Sequence, residues 1–129
     1  MEPSEHVTPQ ELARYASMDE EELFAEIGAA RLGDTLGMRP SEFGRYVRVG
    51  RRWFEERRNE FRKEICEDSR IRSLRASLES DTAVEAATIV DTLTTSTLGT
   101  VPVAVVAVVI TKHGLSQFCD WQDDNDEGP

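Results

Sequence analysis

Between positions 45 and 63 the chain carries Arg45, Arg48, Arg51, Arg52, Arg57, Arg58, Arg62 and Lys63, with Tyr46 and Trp53 interleaved among them. The chemistry open to such a cluster is anion recognition, because guanidinium forks match the oxygens of carboxylates and phosphates and stack on aromatic faces. Eight cations stand there against three acids, Glu55, Glu56 and Glu60, a local charge of +5, which leaves −15 on the remainder of a chain whose total is −10. So acidic a protein is not a general polyanion binder, since non-specific nucleic-acid affinity comes from cations neutralising phosphates.

The arginine segment admits three roles. Its cations can form the solvated face of an amphipathic helix, supported by Arg51 with Glu55 and Arg52 with Glu56, or by the acidic stretch from Asp19 to Glu26. They can instead dock an acidic or mixed protein partner through Arg45, Arg48, Arg52 and Trp53, residue types that dominate interface energetics. The third role is contact with phosphates, with Tyr46 or Trp53 stacking on bases.

Other reactive side chains do not assemble into a motif. His6, His113, Cys66 and Cys119 show no Cys-x-x-Cys, His-x-x-x-His or calcium-loop spacing, and His113 and Cys119 are separated across Gly114. No metal or cofactor is expected. Serines and cysteines lack a nucleophile elbow, and the glycines form no phosphate-cradling loop. The carboxylates at Asp19 to Glu22 read as helix-start charges, and Asp123 with Asp124 as part of a solubilising tail. No catalytic residue and no small-molecule ligand is indicated.

A second concentrated surface is apolar. Val101 to Ile110 is hydrophobic on every side, so it must be buried in its own domain, in a partner or in lipid; Val105 and Val109 are its candidate contact residues. A helix of about 13 residues there spans about 20 Å, short of the ~30 Å of a hydrocarbon core.

These surfaces must be positioned by helices. Thr8-Pro9-Gln10-Glu11 has a capping threonine, proline at the first helical position and glutamate at the third, and predicts a short helix ending near Ala16. Ser17-Met18-Asp19-Glu20 repeats that signature and opens a second helix running to about Leu36, with Gly28 and Gly33 weakening it or admitting a close neighbour, and Gly37 as its stop. Pro40 and Ser41 begin the long third helix, whose apolar stripe is Phe43, Val47, Gly50, Phe54, Phe61 and Ile65, interrupted by Arg57. Asp68-Ser69 offers either a break before a shorter helix carrying Ile71, Leu74 and Leu78 or a kink in one that runs through. Ser80-Asp81 caps a helix from Thr82 to Leu98 with Gly99 as its stop, although the threonines at 92, 94, 95 and 97 are mediocre helix formers. The valine-rich segment has the propensity of a buried strand, but Thr100-Val101-Pro102 resembles a capped start and no other segment offers a strand to pair with, which favours helix.

At 129 residues and 39% hydrophobic content the chain suits one domain. The expectation is an all-α, single-domain bundle of four to six helices over residues 8–121, with flexible ends at 1–7 and 122–129, and with the arginine helix packed against the apolar C-terminal helix. Trp53, Phe118 and Trp121 are placed to close the ends of its core. The two cysteines lack the density of a disulfide scaffold and the N-terminus lacks a signal-peptide pattern, from which a reducing, cytoplasmic setting is expected. Thirteen arginines against two lysines suggest a GC-rich prokaryotic source. The function these features favour is non-enzymatic: a small adaptor or accessory subunit of a larger prokaryotic assembly, binding a protein partner or itself. A nucleic-acid-binding regulator is second, and a membrane-proximal effector using residues 99–115 third.

Overall fold

Capping chemistry sets most of the helix starts. In the computed structural model, which describes residues 8–33, 39–77, 81–93, 98–99 and 101–120, the Thr8 hydroxyl accepts from the Glu11 amide at 3.0 Å while the Thr8 amide donates to the Glu11 carboxylate at 3.3 Å. This closed box begins α1, Pro9–Ala16. The second box is built by Asp19 and Glu22, at 2.8 and 2.9 Å, and begins α2, Glu20–Leu32. Ser17, expected to play that part, instead ends α1, its hydroxyl donating to the Arg14 carbonyl at 2.7 Å. Helix α2 stops earlier than expected, because Gly33 takes a left-handed φ of 79° that turns its amide back to the Ala29 and Ala30 carbonyls. Residues 34–38, including Leu36 and Gly37, lie outside the described residues.

A short 3-10 turn, Pro40–Glu42, leads into the long helix α3, Phe43–Cys66. The chain breaks at Glu67, and the Asp68 carboxylate caps α4, Ser69–Ala76, by accepting from the Arg70 amide at 2.8 Å. The Asp81 carboxylate does the same for α5, Thr82–Leu93, accepting from Val84 at 2.9 Å. Residues 94–97 and 100, with most of the threonine run, are outside the described set, as are Leu78 and Ser80. The valine-rich segment is helix α6, Val103–His113, stopped by Gly114 at φ 103°. One further helix, α7, Leu115–Asp120, had no clear signal in the sequence. The result is an all-α bundle of seven α-helices with no strand among the described residues. The terminal segments 1–7 and 122–129, and Trp121, are not described.

The most extensive helix contact is between α2 and α3, not between α3 and α6. A reciprocal pair of glycines makes it possible. A Cβ on Gly28 would overlap the Tyr46 carbonyl oxygen, and a Cβ on Gly50 would overlap that of Phe24, so backbone lies on backbone at both points. Tyr46, one turn before Gly50, fills the space beside the small side chains of Ala25 and Ala29 and is fully buried, its hydroxyl accepting from the Arg39 amide at 3.3 Å. This shifts the buried stripe of α3. It runs through Tyr46, Gly50, Trp53, Phe54, Arg58, Phe61 and Ile65, so Arg58 rather than Arg57 interrupts it. Arg58 lays its stem along the apolar surface and reaches out to Glu55 at 2.8 Å.

Helix α6 packs against α5, α1, α2 and α7. Every residue from Ala104 to Thr111 is buried, including Val105 at 0% and Val109 at 3% exposure. Val105 and Val109 therefore do not form a partner surface in this fold, because the chain covers them itself. No described helix is long and apolar enough to cross a membrane.

Cys66 and Cys119 form a disulfide with a Cα–Cα distance of 5.7 Å, joining the end of α3 to α7. The expectation of unpaired cysteines is overturned, and the cysteine argument for a reducing setting falls with it. Sequence distance was a poor guide because Phe118, fully buried and 6.3 Å from the Phe54 ring, draws α7 onto α3. The Arg75–Asp120 ion pair at 2.7 Å holds the far side of α7 against α4.

Candidate functional site

Helical spacing brings the arginines of α3 into two adjacent rows. Residues 48, 52 and 56 follow one another at one-turn intervals, and residues 49, 53 and 57 do the same beside them. With Arg31, on the last turn of α2, these two rows line an open cleft of about 390 Å³. Its walls are Arg31, Arg48, Arg52 and Arg57, with Glu56, Val49 and Trp53. Arg31 leans toward the loop at Gly99, whose α-carbon, if it bore a methyl, would place it 4.0 Å from the Arg31 Nη1.

The four guanidinium groups are not equivalent. Arg57 is fixed three ways: it stacks over the Trp53 ring at 4.7 Å, donates to the Trp53 carbonyl at 3.3 Å and lies 3.7 Å from the Glu56 carboxylate. Arg31, Arg48 and Arg52 are exposed and make no ion pair or hydrogen bond among the described residues. The expected pairs Arg51 with Glu55 and Arg52 with Glu56 do not form. Glu55 is taken by Arg58 and Glu56 by Arg57, while Arg51 sits over the Phe24 ring at 4.7 Å. Nor does any ion pair among the described residues join the acidic start of α2 to the cleft. Asp19 and Glu22 spend their carboxylates on their own helix cap.

Of the residues singled out from sequence, Arg48, Arg52 and Trp53 converge on this cleft and Arg45 does not. Arg45 pairs instead with Glu42 at 3.3 Å on the helix surface before it. Trp53 contributes an edge rather than a platform, being 4% exposed, packed 5.8 Å from the Phe61 ring and covered by Arg57. Tyr46, the other proposed stacking residue, is inside the α2–α3 contact. Arg31 was missed. Its signal was its place in the last turn of α2, where a cation is favoured anyway by the helix dipole, so nothing in the sequence distinguished a cleft wall from an ordinary helix end.

The cleft is built to attract negative charge. Among the described residues three cations lie together without an ion-pair partner in a concave site, beside Arg57 and its partner Glu56, and concave sites lined mainly by one sign of charge focus the field. Among the described residues no group of three or more His, Cys, Asp or Glu side chains is arranged to hold a metal ion. Comparison with protein families, with characterised proteins and with solved structures gave no match.

Proposed function

We propose that this protein is a non-enzymatic docking module that receives an acidic segment of a protein partner in the cleft between α2 and α3. The observation that carries this reading is the pair Arg48 and Arg52, one helical turn apart, exposed and, among the described residues, without an acid of their own, facing a concave surface shared with Arg31. Acids close in sequence pair with Arg45, Arg57 and Arg58, and among the described residues none pairs with these three. An acidic protein segment suits the site better than nucleic acid. Tyr46 and Trp53 offer no open ring for base stacking, and a long polyanion leaving the cleft would meet the acidic remainder of the chain. A small accessory subunit of a larger assembly remains the simplest role for such a module.

Fluorescence anisotropy with a labelled peptide of alternating Asp and Glu tests the reading. The peptide is expected to bind at low salt, to weaken as salt rises, and to be lost with Arg48→Glu combined with Arg52→Glu. Equal binding by that double variant, or none by the parent protein at low salt, overturns it. Tighter binding of a single-stranded oligonucleotide at physiological salt transfers the site to the nucleic-acid alternative.

A further inference from the structure

The stoichiometry of charge in the cleft says more about its ligand than its sign alone. Arg57 is occupied by the Trp53 ring, the Trp53 carbonyl and Glu56, and so acts as a fixed wall. Arg31, Arg48 and Arg52 remain, drawn from two helices onto one cavity of about 390 Å³. A single carboxylate brings one negative charge and two oxygens, enough for one bidentate fork or two single contacts. An acidic segment would have to bring a second and a third carboxylate into separate alignment to match all three cations. A phosphate monoester brings nearly two charges and three terminal oxygens, one for each guanidinium. A phosphodiester brings only one charge and continues on both sides into a polyanion that must run along a protein whose residues outside 45–63 sum to −15.

We propose that the anion recognised in this cleft is a phosphate monoester, presented as a phosphorylated serine or threonine side chain of the partner. This rests on the docking reading of the same site and narrows its partner to a phosphorylated one. Clusters of arginine are suited to this task because their forks fix the phosphate oxygens in direction as well as attracting its charge. The partial exposure of the cleft admits a side chain from an extended segment, and the edge of Trp53 with Val49 gives apolar contact for the segment's own carbon atoms.

Isothermal titration calorimetry with three versions of one synthetic peptide tests this: phosphoserine, glutamate or unmodified serine at the same central position. The phosphoserine peptide is expected to bind at least tenfold more tightly than the glutamate peptide, and the serine peptide not at all. Arg52→Lys, which keeps the charge but removes the fork, is expected to erase most of that tenfold preference, whereas Arg72→Gln on α4, away from the cleft, leaves it intact. Circular dichroism confirms that each variant is folded. Equal affinity for phosphoserine and glutamate peptides overturns the phosphate inference and leaves the acidic-docking reading standing. Failure of every peptide overturns both. Inorganic phosphate binding as tightly as the phosphoserine peptide also overturns the proposal, since the ligand would then be a free phosphate and not a partner's side chain.

Discussion

Helix α6 and the arginine face of α3 are the two most concentrated surfaces in the molecule, one made of side chains that water rejects and the other of side chains that water solvates. Either alone would make a credible binding site. The fold treats them oppositely. Residues Ala104 to Thr111 are enclosed by α5, α1, α2 and α7, whereas Arg48 and Arg52 stay exposed beside Arg31. The difference follows from what each gains on burial. Apolar surface gains about 25 cal/mol for each Å² taken from water, so the chain's own helices compete strongly for it. An exposed ion pair is worth about 0 to 1 kcal/mol, so nothing in the fold compels each arginine to be matched by an internal acid.

That contrast can be broken most severely from the apolar side. Val105→Asp places a charge where exposure is 0% and is expected to destabilise the protein by about 5 kcal/mol or more, read by urea unfolding. Val84→Asp, at a site 47% exposed on α5, is its control and is expected to stay within about 0.5 kcal/mol of the parent. A Val105→Asp protein that unfolds at the parent's urea midpoint would mean that α6 is not enclosed in solution.

The bridge between α3 and α7 comes next. Replacing Cys66 and Cys119 together by serine releases a loop spanning 53 residues and is expected to lose about 4 kcal/mol by the chain-entropy account. Thiol titration of the denatured, unreduced protein gives an independent check, with no free thiol expected. Gly50→Ala attacks the crossing that positions the cleft and should destabilise by about 1 to 3 kcal/mol or more, because the new methyl meets the Phe24 backbone and a flexible side-chain tip is not there to yield. If acidic-peptide affinity survives that variant unchanged, Arg31 and α3 need not be held in register.

On the charged side the expected signs separate stability from binding. Arg48→Glu and Arg52→Glu should each leave the unfolding free energy within about 0.5 kcal/mol of the parent while removing affinity for an acidic peptide. A large stability loss would show that these arginines serve the fold. The smallest effect concerns Asp68, whose carboxyl is held below its ordinary 3.8 chiefly by the side-chain hydrogen bond from Arg70. A depressed carboxyl stabilises the folded state at pH above its unfolded value and loses that contribution as pH falls through the folded value. Acid unfolding curves of the parent and Asp68→Asn should therefore differ slightly at neutral pH and converge below pH 4.

Much of this architecture could be read from local signals. The Thr8 box, the Asp81 cap, the Gly114 stop and the start of α4 at Asp68 are decided by groups within three or four residues of one another, where chemistry and geometry are both visible in the sequence. Two of the errors were also local in kind. Asp19 displaced Ser17 as a cap because its carboxylate reaches the Glu22 amide, and Gly33 stopped α2 before Gly37 because it came first and tolerates a positive φ.

The sequence by itself determined that this is a helical protein, that it carries one basic helix in an acidic chain, and that the valine-rich segment must be hidden from water. Periodicity, caps and composition are properties of neighbours along the chain, and they suffice for those conclusions. Only the tertiary structure decided who hides α6, that Cys66 meets Cys119, and which arginines remain without an acid among the described residues. Those outcomes depend on a backbone crossing at Gly28 and Gly50, which turns α3 so that Tyr46 and Trp53 face inward and leaves Arg48 and Arg52 beside Arg31. A rotation of one helix against another leaves its spacing pattern almost unchanged, yet it decides which charges meet.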